Sequence, residues 1–146
     1  LARDHPEVGF LYPVHLNPRV RKPVFEIVKG HPNVLLTEPQ EYRRFIRLMD
    51  RAHLLLSDSG GVQEEAPSLG KPVLVMRDVT ERPEGIAAGC AELVGSSAER
   101  IRDRVTALLT DTDRYQAMAR AQNPYGDGRA SGRIRDTLLQ RSTRDA

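Results

Sequence analysis

The fold is decided by residues 53–76, HLLLSDSGGVQEEAPSLGKPVLVM, in which two short apolar runs flank a polar segment that contains a Ser-Gly-Gly triplet. The apolar runs, residues 53–56 and 73–76, show no alternation with polar residues, which is typical of strands buried on both faces of a parallel sheet. The segment between them predicts a helix over residues 62–69 that ends at Gly70. Strand, helix and strand in this order form the basic unit of parallel α/β sheets.

The same pattern extends in both directions along the chain. Two further strands are predicted before this stretch, at residues 8–14 and 34–36, and one after it, near residues 92–94. The predicted helices are one that begins at Pro23 and ends at Gly30, and others at residues 41–52, 83–88, 97–110, around Tyr115 and at 130–139. We therefore predict one Rossmann-like, doubly wound α/β domain over residues 1–146, in which residues 141–146 form a frayed tail.

Composition excludes several classes of protein. The net charge of +2 over 146 residues gives no reason to expect a nucleic-acid or membrane partner, and no apolar run is long enough to cross a bilayer. Cys90 is the single cysteine, so an internal disulfide or a thiolate metal cluster is excluded and a reducing cytoplasm is favoured. No metal-ligand spacing is present, and we expect no metal or cofactor. The chain opens at Leu1 rather than at methionine, which suggests a fragment of a longer protein.

Ligands of doubly wound folds bind at the carboxyl ends of the strands, so the loops after Val14, Leu36, Leu56 and Met76 are the places to search. The strongest candidate is Ser59-Gly60-Gly61. Paired glycines allow close approach and unusual dihedral angles, and the helix start behind them offers free amides and a partial positive charge to a phosphate. Glu65, about one turn further, could accept hydrogen bonds from ribose hydroxyls. The alternative is that Ser59 only caps the helix and that Glu64 or Glu65 only complements its dipole.

Four segments make the pattern more specific. They are DSGGVQEEAPSLGKPVL (58–74), RDVTERPE (77–84), YPVHLNP (12–18) and NPYGDG (123–128). Together they resemble the non-hydrolysing UDP-N-acetylglucosamine 2-epimerases, and the resemblance extends from about residue 8 to residue 139. Ser57, Gly85 and Cys90 depart from the family pattern, which usually has threonine, alanine and threonine there.

The resemblance implies the C-terminal half of a two-domain glycosyltransferase-B arrangement, whose N-terminal domain is absent from this chain. It implies that Ser59, Gly60 and Gly61 hold the diphosphate of UDP, that Glu65 holds the ribose and that Arg82 contacts the substrate. Gln40 and Phe45 correspond to the uracil pocket, and His15 to a position near the interdomain cleft and a second, allosteric nucleotide-sugar site.

Each of these residues also has a structural alternative. Phe45 lies on an apolar helix face and could serve the core, and Gln40 could be an ordinary helix-entry residue. Arg82 could form a surface ion pair with Glu81 or Glu84, and His15 could cap a strand end. His5, His31 and His53 are interpreted as solvent-exposed or core residues.

The activity implied by the resemblance is interconversion of UDP-GlcNAc and UDP-ManNAc by elimination and re-addition of UDP, through a 2-acetamidoglucal. The family's acid–base carboxylates belong to the N-terminal domain, so we expect no catalytic residue in this chain, weak binding of UDP and no turnover by the chain alone. The full-length enzyme is expected to be a homodimer in polysaccharide biosynthesis. The alternatives are a UDP-sugar glycosyltransferase of the same fold, a hydrolysing relative, and a nucleotide-sugar-binding protein without catalytic activity.

Overall fold

The computed structural model describes residues 1–142 of the chain and the side chains up to Gln140. It contains two compact units, Leu1–Arg51 and Ala52–Ala146, and each is described by itself below. Within residues 1–142, no helix is both long and apolar enough to cross a bilayer. The single domain predicted for residues 1–146 stays a prediction, and residues 143–146 of the predicted tail lie outside the described part of the chain.

The first unit is a strand–helix–strand motif followed by a second helix. Strand β1 (Phe10–Pro13) pairs in parallel with strand β2 (Val34–Thr37), with Phe10 opposite Val34. Helix α1 (Pro18–Val28) connects the two strands, as parallel pairing requires, and helix α2 (Tyr42–Arg51) follows β2. The parallel pairing confirms the prediction for this part of the chain.

Helix α1 begins earlier than predicted. Its N-cap is Asn17, whose side-chain oxygen accepts a hydrogen bond from the backbone N–H of Arg19 at 3.0 Å. Pro18 is the first helical residue, where the missing N–H of a proline costs nothing. The predicted start at Pro23 is therefore wrong, and Pro23 lies inside the helix.

The second unit contains a parallel three-stranded sheet in the order β3-β4-β5. The strands are β3 (Leu55–Ser57), β4 (Val73–Val75) and β5 (Ala91–Leu93). Helix α3 (Gly60–Glu65) continues into a 3-10 helix (Ala66–Leu69), which ends at Gly70 with φ of 64°. The remaining helices are α4 (Pro83–Ala88), α5 (Ala98–Thr110), α6 (Thr112–Ala119) and α7 (Ala130–Ser142). Helix α7 thus extends to Ser142, two residues into the segment predicted as a tail, and the fraying of that tail stays a prediction.

Strand β4 forms the centre of the second unit. Its three residues are fully buried, and Val105 and Leu108 of α5 are also part of the core. This confirms the prediction of a strand buried on both faces for the run at residues 73–76. The prediction is wrong for the run at residues 53–56, because the three residues of β3 are only half-buried. Because β3 and β4 are parallel neighbours, the loops that follow them emerge at the same edge of the sheet. The Ser-Gly-Gly triplet follows β3, and the loop that carries Arg82 follows β4.

Candidate functional site

Ser59 stands at the N-cap of α3, but its side chain makes no capping hydrogen bond. The hydroxyl of Ser57 instead accepts a hydrogen bond from the backbone N–H of Ser59 at 3.1 Å. The alternative in which the Ser59 hydroxyl serves as the helix cap therefore has no hydrogen bond to support it. Ser59 is exposed and directly precedes the first amides of the helix, which have no partner within the helix itself.

Gly60 and Gly61 are the first two residues of α3, and neither has a positive φ. The prediction that they adopt dihedral angles closed to other residues is therefore wrong. What Gly60 provides is space, because a Cβ at this position would lie 2.8 Å from Cζ and 3.0 Å from Nη1 of Arg82. The absence of a side chain thus lets the guanidinium rest against the start of α3.

Arg82 is held in this position by two carboxylates. Its Nε donates to Oε1 of Glu64 at 2.7 Å, and its Nη1 lies 3.5 Å from Oε2 of Glu81. The hydrogen bond to Glu64 raises the pKa of Arg82 above its ordinary value, so the side chain stays charged. The ion-pair alternative named Glu81 and Glu84, whereas the shortest contact is with Glu64 of α3.

A buried glutamine supports the same loop from behind. Gln63 is 1% exposed, and its Nε2 donates to the backbone oxygen of Ser59 at 3.3 Å. Its Oε1 accepts a hydrogen bond from the hydroxyl of Thr80 at 2.6 Å, and that hydroxyl accepts one from the backbone N–H of Arg82 at 3.1 Å. The sequence reasoning assigned no role to Gln63 or Thr80. The signal available in the sequence was the position of Gln63 beside Val62 and three residues before Ala66, which is helical spacing on an apolar face.

The turn at residues 123–128 contacts both sides of this arrangement. The hydroxyl of Tyr125 accepts a hydrogen bond from the backbone N–H of Gly85 at 3.1 Å and donates to the backbone oxygen of Arg82 at 3.4 Å. Burial raises the pKa of Tyr125, so the hydroxyl stays protonated at neutral pH. Nδ2 of Asn123 donates to the hydroxyl of Ser68 in the 3-10 helix at 2.9 Å. The turn therefore braces the ends of two helices at once.

Two departures from the family pattern have a physical explanation at this point. A Cβ on Gly85 would lie 2.6 Å from the Tyr125 hydroxyl oxygen, so glycine allows the close approach of that hydroxyl. Cys90 is buried, and its thiol donates to the backbone oxygen of Gly85 at 3.3 Å. A threonine hydroxyl could donate in the same way.

The other candidate residues are distributed over both units. Glu65 is the half-buried last residue of α3, in the same unit as Ser59 and Arg82. His15, Gln40 and Phe45 lie in the first unit. His15 is exposed, and its Nδ1 accepts a hydrogen bond from the backbone N–H of Asn17 at 3.1 Å. Nε2 of Gln40 donates to the backbone oxygen of Glu38 at 2.7 Å. Phe45 is half-buried on α2. The hydrogen bonds of His15 and Gln40 and the partial burial of Phe45 are also compatible with the structural alternatives for these residues.

Chemically, the second unit gathers donors suited to an anion. They are an exposed serine hydroxyl, the free amides at the start of α3 and a charged guanidinium. Glu64 and Glu81 occupy part of the guanidinium, which has five N–H donors and retains others for a ligand.

Parallel strands joined by helices, with polar loops at their carboxyl ends, define an α/β protein of the Rossmann-like, doubly wound class. Within that class, the family model of UDP-N-acetylglucosamine 2-epimerase matches residues 1–139, and the chain belongs to this family.

Individual relatives agree with this assignment. The chain is 61% identical over 134 residues to a probable UDP-N-acetylglucosamine 2-epimerase of Ralstonia solanacearum. This match covers 92% of the chain and 36% of the relative. It is 58% identical over 138 residues to the UDP-N-acetylglucosamine 2-epimerase of Escherichia coli K12, and this match covers 94% of the chain and 37% of the relative.

Solved structures show the same relationship. The crystal structure of the Neisseria meningitidis UDP-GlcNAc 2-epimerase bound to UDP-GlcNAc superposes with a TM-score of 0.90 at 53% identity and covers 95% of the chain and 38% of that protein. The chain therefore spans little more than a third of the length of the relatives that it matches.

Proposed function

We propose that the chain is the UDP-binding half of an isomerase that interconverts UDP-GlcNAc and UDP-ManNAc. The observation that carries the proposal is the guanidinium of Arg82, fixed against Gly60 at the start of α3, beside an exposed serine hydroxyl. The Neisseria meningitidis relative, which shares this fold at 53% identity, has UDP-GlcNAc bound. Membership of the family supports a nucleotide sugar as the ligand. The local geometry supports an anion site for its diphosphate.

In this proposal the diphosphate is bound by Ser59, the amides of Gly60 and Gly61, and Arg82. Glu65 accepts hydrogen bonds from the ribose hydroxyls, where a carboxylate meets a neutral diol rather than a phosphate. Gln40 and Phe45 of the first unit contribute to the uracil pocket, and His15 belongs to a second nucleotide-sugar site. The contacts of Arg82 with Glu64 and Glu81 keep it in place before the ligand arrives.

The reaction begins when a base removes the C2 proton of the sugar. The electron pair forms the C1–C2 double bond as the C1–O bond breaks, and UDP leaves with the bonding pair. Re-addition of UDP to the 2-acetamidoglucal, with a proton delivered to the opposite face of C2, completes the inversion. The residues of this chain stabilise the negative charge that develops on the departing diphosphate and keep UDP from escaping.

The groups that move the proton are assigned to the remainder of the full-length protein. We place that protein in the cytoplasm, in agreement with the buried free thiol of Cys90 in this chain. We also propose that it is a homodimer.

Isothermal calorimetry with UDP on the full-length protein tests this proposal. Arg82→Ala removes a charge-assisted contact with the diphosphate and is expected to weaken binding by about tenfold to a hundredfold. Arg102→Ala is the matched control, since Arg102 is an exposed arginine of α5 whose Nε lies 4.0 Å from Oδ1 of Asp103. Equal affinities in all three proteins would contradict the proposal.

A further inference from the structure

Gln63 is a buried polar side chain whose amide has a partner at each end. Its Nε2 donates to the backbone oxygen of Ser59 and its Oε1 accepts from Thr80, while the residue is 1% exposed. Burying an amide is unfavourable unless its hydrogen bonds are made, so both contacts matter to the position of the side chain. The amide fixes the loop that follows β3 relative to the loop that follows β4.

Thr80 continues the connection towards Arg82. Its hydroxyl has one hydrogen, which is given to Gln63, so the N–H of Arg82 meets a lone pair of the same oxygen. This hydrogen bond holds the backbone of Arg82 at the N-cap of α4, where the residue is not helical, with φ of −122° and ψ of 62°. From that backbone position the side chain reaches Glu64 and the space above Gly60.

We propose that Gln63 and Thr80 are positioning residues for nucleotide binding, and that their hydrogen bonds, from Ser59 through Gln63 and Thr80 to Arg82, keep the guanidinium in register with the Ser-Gly-Gly amides. These hydrogen bonds are called the Gln63–Thr80 bridge below. The inference rests on the proposed function, because it concerns the same anion site. Ordering a backbone segment when a ligand binds costs conformational entropy, and the hydrogen bond from the N–H of Arg82 to Thr80 fixes that segment before the ligand arrives.

A double-mutant cycle on the full-length protein tests the bridge, with UDP affinity measured by calorimetry. Thr80→Val keeps the shape of the side chain and removes the hydroxyl, and it is expected to weaken UDP binding by about threefold to tenfold. Thr80→Ser restores the hydroxyl and should restore the affinity. In the Arg82→Ala background, Thr80→Val should change the affinity by less than about twofold, because the bridge acts through Arg82.

Gln63→Met breaks the bridge from its other end and gives a second route if Thr80→Val does not fold, which urea unfolding would reveal. Thr110→Val is the matched control, since the hydroxyl of Thr110 donates to the backbone of Thr106 within α5.

The outcomes separate the two proposals. If the native protein binds no UDP, the proposed function fails and the bridge has no ligand to serve. If the native protein binds UDP and Thr80→Val binds it equally well, the bridge is wrong and the proposed function stands. Additive losses from Thr80→Val and Arg82→Ala would also overturn the bridge, since they would show a general loosening of structure rather than an effect through Arg82.

Discussion

Cys90 illustrates how a single residue acts through its surroundings. The side chain is 1% exposed, and its thiol donates to the backbone oxygen of Gly85 in α4. Burial raises the pKa of the thiol above its ordinary value of 9.0, because the thiolate would lose its hydration. The residue therefore serves packing and hydrogen bonding and has the character of an inert rather than a reactive thiol.

An alkaline loss of stability follows from this raised pKa. As the pH rises above about 9, the thiol of the unfolded chain ionises while the buried thiol keeps its proton, so the free energy of unfolding falls until the folded thiol ionises too. Cys90→Thr keeps a donor for Gly85 and removes this titration. Urea unfolding at pH 7, 8, 9 and 10 should show a smaller alkaline decrease for Cys90→Thr than for the native chain. Parallel decreases in the two proteins would contradict the role of the thiol.

The sequence indicates which residues are candidates for the site more reliably than it indicates why those residue types are needed there. The Ser-Gly-Gly triplet and Arg82 were identified as candidates, but the glycines were credited with unusual dihedral angles that they do not adopt. The space left by glycine at position 60 is taken by the guanidinium of Arg82, which is distant in sequence and close in space. A steric reason of this kind depends on tertiary structure and has no local signature in the sequence.

At the scale of elements, α4 shows the same contrast. Its bounds, Pro83–Ala88, agree with the prediction, because proline at the first helical position and glycine after the last are strong local signals. What caps its first turn is not local. The N-cap residue Arg82 makes no side-chain capping bond, and the N–H of Gly85 is satisfied by Tyr125, 40 residues further along the chain.

The predicted start of α1 is wrong for a different reason, because two competing start signals occur in the sequence. Asn17 followed by Pro18 is a favourable N-cap and first helical residue, and the structure uses it. The prediction gave the start to Pro23 instead, since apolar residues at helical spacing follow it. A proline inside a helix is unfavourable but is tolerated here, in a helix with no buried residues.

Removing the cap of α4 should destabilise the protein. Tyr125→Phe keeps the ring and leaves the N–H of Gly85 without its partner, which is expected to lower the free energy of unfolding by about 1–2 kcal/mol. Urea unfolding at pH 7 measures the effect below the pH range in which the tyrosine titrates. Tyr12→Phe provides the control, because Tyr12 is 41% exposed in β1 and its substitution should change the free energy by less than about 0.5 kcal/mol. Equal effects of the two substitutions would contradict the capping role.

At the scale of the whole molecule, the α/β class was predictable because apolar runs without alternation and helical periodicity occur in turn along the chain. The parallel pairing within each unit confirms it. The division into Leu1–Arg51 and Ala52–Ala146 was not predicted, and only a short connection between α2 and β3 separates the two units in sequence. The candidate residues fall on both sides of this division, so sequence order alone could not show how they are grouped.

The length of the chain leads to the last prediction. Epimerisation at C2 needs a base at the sugar and stabilisation of the departing diphosphate, and the candidate site of the second unit provides groups for the second task. The chain spans 36% to 38% of the length of the three relatives compared above. We therefore expect the 146-residue chain to convert no UDP-GlcNAc into UDP-ManNAc on its own.

Proton NMR in D₂O measures both steps of that reaction, because exchange at C2 reports proton removal and the appearance of UDP-ManNAc reports inversion. The full-length protein, under the same conditions, should show both signals and serves as the positive control. Deuterium incorporation at C2 by the chain alone would place a competent base within these 146 residues. It would also overturn the division of labour in which this half binds the leaving group and another part of the protein moves the proton.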